Sequence, residues 1–176
     1  MRFYEEGSEI LFGDFDDANF FHIEQTTLYQ KRLKPYGISS AEYLLLRPIE
    51  SQSKLVLLVV EAKRTLAAKD SNEFHENLAK IANQLMDSLK LAFGIWLGSH
   101  ESKVDLPLNY NQFFESGRKI IFVLIIKERK RDMTYIADVL KHHYLRSECR
   151  LLGFDVKVYN EQQAINANLV IQEGAP

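Results

Sequence analysis

Leu55-Val56-Leu57-Leu58-Val59-Val60-Glu61-Ala62-Lys63 is a run of six aliphatic residues that ends in charge. It is β-branched, too short for a convincing helix, and of the length that suits a strand buried on both faces. Side chains alternate along a strand, so Glu61 and Lys63 take one face and Ala62 the other. A carboxylate and an ammonium then sit about one pleat apart at the mouth of a hydrophobic sheet. Taken alone, the pattern also describes a strand that merely surfaces into water. The segment before it bears on the choice.

Ser39-Ser40-Ala41-Glu42-Tyr43-Leu44-Leu45-Leu46-Arg47 is a second strand-like run, followed by the polar stretch Pro48-Ile49-Glu50-Ser51-Gln52-Ser53-Lys54. Proline and the Ser/Gln cluster predict a loop between two antiparallel strands. With the turn centred near Ser51 and Gln52, residues whose numbers add to about 103 face each other, which sets Glu42 opposite Glu61 at a Cβ separation of roughly 5 Å. Two carboxylates and a lysine converge at one end of one hairpin. Like charges so placed repel unless a cation lies between them, and a divalent ion with hard oxygen ligands meets that need.

Glu42, a hydrophobic hairpin and then Glu61-Ala62-Lys63 resemble the PD-(D/E)xK nuclease superfamily, in which an acid opens one strand and acid-x-Lys ends the next. Phe21-His22-Ile23-Glu24-Gln25-Thr26-Thr27-Leu28-Tyr29 is similar to the segment that precedes that hairpin, with Glu24 at the place of its glutamate. The resemblance covers roughly residues 20 to 97. Two departures stand out: Glu42 occupies the position where the family usually has Asp, and it follows Ala41, not Pro. The resemblance implies a restriction-endonuclease-like core and a metal-dependent phosphodiesterase acting on DNA, with RNA the other possible substrate. It implies Mg²⁺ or Mn²⁺ held by Glu42, Glu61 and the Ala62 carbonyl, with Glu24 in support through a water. Lys63 would orient or help deprotonate the attacking water and stabilise charge on the phosphate. Many nucleases pair two copies to cut both strands, so a homodimer is among the implied partners. The alternative is a nuclease-like fold that no longer cuts and serves as a nucleic-acid-binding or protein-assembly module.

The chain as a whole is consistent with a single domain over residues 1–176. Lys plus Arg number 22 against 24 Asp plus Glu, so no global basic field advertises nucleic acid; the local potential of a cleft can differ in sign from the whole. The lone Cys149 rules out an internal disulfide and suits a reducing compartment. A polar N-terminal stretch and the lack of any apolar run near ~18 residues predict a cytoplasmic protein without a membrane partner. Asp14, Asp16 and Asp17 lack the Gly and distal Glu of a calcium loop and read as a solvated turn.

Phe74, Leu78, Ile81, Leu85, Leu89, Ala92 and Trp96 recur at helical spacing, with Ser71 or Asn72 placed to cap. The polar shoulder of that helix carries Asn77, Lys80, Gln84 and Ser88, and it either meets the carboxylate end of the hairpin or faces water. Some members of the superfamily use a helix glutamine followed four residues later by tyrosine; here Gln84 is followed by Ser88, leaving Gln84 and Lys80 as candidates for substrate contact or support. Residues 98–117 read as a long loop whose Tyr110, Phe113 and Phe114 either stack on bases or cover the core. Ile120 to Ile126 is another buried strand, and it runs into Lys127-Glu128-Arg129-Lys130-Arg131, a solvated turn or a phosphate contact. A second long helix is predicted from Tyr135 to Leu152, stopped by Gly153, and a half-exposed strand from Asp155 to Tyr159. His142 and His143 point about 100° apart on a helix and do not share a metal. This order of elements predicts an α/β (α+β) fold, a mixed central sheet flanked by helices.

Overall fold

The computed structural model describes residues 1–49, 52–69, 71–99, 106–116 and 119–172. Two short strands, β1 (Phe3–Glu5) and β2 (Ile10–Phe12), form an antiparallel hairpin of their own. The main sheet has five strands in the order β3 (Phe20–Phe21), β4 (Tyr43–Ile49), β5 (Gln52–Lys63), β6 (Lys119–Ile126) and β7 (Asp155–Asn160). Pairing is antiparallel from β3 to β5 and parallel from β5 to β7, so the sheet is mixed, as expected.

Both parallel crossovers cover one face. The first contains α1 (Asn72–Trp96) and α2 (Leu108–Ser116); the second contains α3 (Met133–Val139), a wide turn over Leu140–Tyr144, and α4 (Arg146–Leu151). Leu44 and Leu46 of β4, Leu57 and Val59 of β5, and Ile120, Phe122 and Leu124 of β6 pack against these helices. The alternate residues, including Tyr43, Leu45, Leu58, Val60, Ala62 and Val123, face the opposite layer. That layer is built from the β1–β2 hairpin, α5 (Glu161–Asn166), Leu169 and Val170. Strands with apolar groups on both faces are what a sheet covered on both sides requires.

β4 does not stop at Pro48 as predicted; it runs through to Ile49, and β5 starts at Gln52. Pro48 lies opposite Leu55. The Leu46 N–H bonds outward to the Asn19 carbonyl, and backbone groups two residues apart point the same way. The nitrogen of Pro48 therefore faces outward too, beyond the end of the short β3, where no ladder N–H is needed. The turn residues Glu50 and Ser51 lie outside the described residues.

Two further expectations are corrected. Part of the predicted 98–117 loop is α2, an Asn-rich helix of poor intrinsic propensity that forms because Tyr110 and Phe113 are buried in the core; residues 100–105 and Gly117 lie outside the described residues. The predicted helix over 135–152 is broken: the Leu145 N–H reaches the Leu140 carbonyl five residues back at 2.8 Å. Leu140 and Leu145 are both buried, yet in a regular helix they would point about 140° apart, and the widened turn brings them to one side. Beyond β7 the chain forms α5, opened by a capping box between Asn160 and Gln163.

Candidate functional site

The hairpin register is the expected one. Pairs run from Tyr43↔Val60 to Pro48↔Leu55, each adding to 103, and an irregularity between Pro48 and Ile49 shifts only the last pair, Ile49↔Gln52. Pairing ends at Tyr43, so Glu42 lies in a bend just beyond the ladder, at the position that continues the register to Glu61. Glu61 and Lys63 follow Leu57 and Val59 onto the α1 face, while Ala62 is buried on the other. The acids therefore gather at the carboxyl end of β5, where β6 and β7 also end.

Glu61 is fully buried, 0% exposed. Lys63 Nζ lies 2.5 Å from its Oε1, with the lysine side chain 36% exposed. Among the described residues Lys63 is the one side chain that meets Oε1, and Glu61 Oε2 has no hydrogen-bond partner. Burial is the main cause that pushes the Glu61 carboxyl above its ordinary range; Lys63 opposes it by charge and direct contact, while Glu5 and Glu24 add to the rise. The partly buried Glu42 is also raised, first by desolvation and next by the charge of Glu61, with Glu5 and Glu24 contributing and Lys63 opposing. Lys63 is itself held above the usual lysine range: burial lowers it, but Glu61, Glu42 and Glu5 together prevail. Glu61, Glu42 and Glu5 thus share one lysine, and Glu24 adds its charge to the crowding at Glu61 and Glu42. Glu5 had no signal in the sequence pattern, because it arrives from β1, far along the chain from the hairpin.

The polar shoulder of α1 meets this end of the hairpin. Gln84 Nε2 donates to the Ser40 carbonyl at 3.3 Å, the Ala41 N–H donates to Ser88 Oγ at 2.7 Å, and Ser40 Oγ donates to Glu24 Oε1 at 3.1 Å. Gln84, Ser88 and Glu24 therefore clamp the two residues before Glu42. Lys80 and Gln84 line, with Lys63, Thr65 and Asn77, a cavity of about 260 Å³.

The register has a consequence for Ala62. The Lys63 carbonyl accepts from the Lys127 N–H on the β6 side, and successive carbonyls on a strand point to opposite edges. The Ala62 carbonyl therefore points toward the β4 edge, past the last pair at Tyr43↔Val60. Its ladder partner would be the Ala41 N–H, which Ser88 has taken.

Other candidates fall away from the site. Lys127 Nζ donates to the Glu9 carbonyl, and Arg129 bonds the Ala67 carbonyl and pairs with Asp132; half of the basic run is tied internally. Tyr110 and Phe113 cover the core. His142 and His143 are exposed. Asp14 pairs with Arg2, and Asp16 caps a turn through the Ala18 N–H. Among the described residues no group of three or more His, Cys, Asp or Glu side chains stands ready to hold a metal, and no helix is long and apolar enough to cross a membrane. Comparison with protein-family models, curated proteins and solved structures finds no match.

Proposed function

We propose that the chain is a metal-dependent phosphodiesterase acting on DNA or RNA, built on a restriction-endonuclease-like core. The observation that supports this reading most is Glu61: a fully buried carboxylate whose Oε1 meets Lys63 and whose Oε2 has no hydrogen-bond partner among the described residues, at the register position opposite a second raised carboxylate, Glu42. A buried carboxylate oxygen left unpaired costs a fold roughly 1–3 kcal/mol, and such groups persist where a ligand uses them.

The donor set is all oxygen: Glu42, Glu61 and the Ala62 carbonyl that the ladder leaves free. That chemistry fits Mg²⁺ or Mn²⁺, with Glu24 behind Ser40 in support. When bound, such an ion polarises the phosphate and acidifies a water. The chain's own residues do the rest. Lys63, partly exposed beside Glu61, presents a cation to the phosphate and to the charge that develops on it. Gln84 and Ser88 fix the backbone that aims Glu42. The cavity between Lys63, Lys80 and Gln84 gives the substrate a way in.

The test is Mg²⁺- and Mn²⁺-dependent cleavage of labelled DNA and RNA by the parent, Glu61→Gln and Lys63→Ala. Cleavage by the parent and its loss in both variants is the expected result. The second reading, a nuclease-like module that binds or assembles without cutting, is favoured by the lack of a three-ligand group among the described residues. It predicts no cleavage with either metal.

A further inference from the structure

Residues 25–41 leave the acidic cluster and return to it. They start beside Glu24, whose carbonyl accepts from Gln30 Nε2 at 2.6 Å, and end at Ser40, which closes back onto the Glu24 carboxylate. The stretch holds Lys31, Arg32 and Lys34 and no acidic residue. Leu28, Tyr29 and Leu33 root it in the core from beneath. Above them Lys31, Arg32 and Lys34 are exposed, and among the described residues none of the three makes an ion pair or hydrogen bond through its side chain. Pro35 and the left-handed Gly37, at φ 72°, turn the chain sharply and leave the ring of Tyr36 83% exposed. That is unlike the basic run at 127–131, where Lys127 and Arg129 are tied to backbone carbonyls.

Free cations interleaved with a bare aromatic ring are what a single nucleic-acid strand requires: charge for its phosphates and a flat face for an unpaired base. A duplex keeps its base faces stacked and has no use for the ring. Tyr36 and Glu42 are six positions apart, so their Cα atoms lie no more than about 20 Å from each other, within reach of a strand engaged at the carboxylates. We propose that residues 31–36 are a docking arm for a single-stranded stretch of nucleic acid, Lys31, Arg32 and Lys34 holding phosphates and Tyr36 stacking on a base. The inference rests on reading the neighbouring carboxylates as a phosphodiester site, and it names the form of substrate that site receives.

The test is binding, measured apart from cleavage: fluorescence anisotropy of labelled oligo-dT of about 20 nucleotides, and of a duplex of the same length, with the full chain in EDTA. Oligo-dT binds more tightly than the duplex. Tyr36→Ala weakens oligo-dT binding about tenfold and leaves the duplex unchanged, whereas Tyr36→Trp retains it. Replacing Lys31, Arg32 and Lys34 together by alanine lowers the slope of log K against log salt by about 2. Melting curves of each variant show the fold intact, since none of these side chains is buried. Equal binding by the parent and Tyr36→Ala, or a preference for duplex, overturns the proposal. Cleavage by the parent separates the two readings: oligo-dT binding that stays Tyr36-dependent in a parent that cuts with neither Mg²⁺ nor Mn²⁺ supports the arm and removes the enzyme.

Discussion

Ser88 takes the Ala41 N–H at 2.7 Å, the donor that the next pair of the β4–β5 ladder would give to the Ala62 carbonyl. One buried hydroxyl on α1 thereby ends the ladder at Tyr43, sends Glu42 into its bend and leaves a backbone oxygen facing the acidic cluster.

Ser88→Ala removes the acceptor of a buried N–H and is expected to cost about 1–3 kcal/mol. With its partner gone, the Ala41 N–H turns to the Ala62 carbonyl, and Mn²⁺ affinity falls with it. Urea unfolding and metal titration of the same variant check both effects; an unchanged urea midpoint would show that Ser88 does not hold this segment.

The raised carboxylates set a pH dependence. Glu61 and Glu42 are pushed up to about 7 and about 9 in the folded protein, from an ordinary 4.5. A folded-state value above the unfolded one means stability that is full below about pH 4.5 and is lost as pH rises through the folded values. His22, lowered by burial, acts in the opposite sense near its ordinary 6.5, so the comparison that isolates the site is parent against Glu61→Gln. The variant, having no charge to bury, gains on the parent steadily from pH 5 to pH 9 in urea titrations. A constant difference across that range contradicts the account.

Among the described residues, Lys63 is the cation that pairs with Glu61. Lys63→Ala leaves that carboxylate without compensation, which for a fully buried pair costs about 3–5 kcal/mol and, with the lysine side chain about a third exposed, is expected nearer 1–3. The loss belongs to pH 8 and largely vanishes at pH 5, where Glu61 carries a proton. Thermal melts at the two pH values read this directly, and equal destabilisation at both would mean that Lys63 acts through packing.

Much of this arrangement is legible in the sequence. The alternation in Val59 to Lys63 and the count across the hairpin placed Glu42, Glu61 and Lys63 on one face, because a sheet has period two and a one-residue slip would have buried the wrong set. The period of α1 was equally plain. What pattern could not show was contact between distant segments. Glu5 joins the cluster only because the β1–β2 hairpin covers the opposite layer, and Ser88 reads as an ordinary polar-shoulder residue until the Ala41 N–H is seen to end on it. Pro48 misled for a local reason, since its fitness for a strand depends on which edge its nitrogen faces and on how short β3 is. α2 was hidden by an Asn-rich composition that packing of Tyr110 and Phe113 overrides.

Whether Glu42 and Glu61 bind a divalent cation is the question on which the account turns, and calorimetric titration of Mn²⁺ into the parent and Glu61→Gln answers it. The parent should bind saturably, with proton release near pH 7 as the raised carboxylates give up their protons. At a hundredfold excess over Kd its unfolding free energy should rise by about 2.7 kcal/mol, and Glu61→Gln should show neither effect. A parent that takes up no Mn²⁺ or Mg²⁺, or a variant that binds as well as the parent, contradicts the metal site.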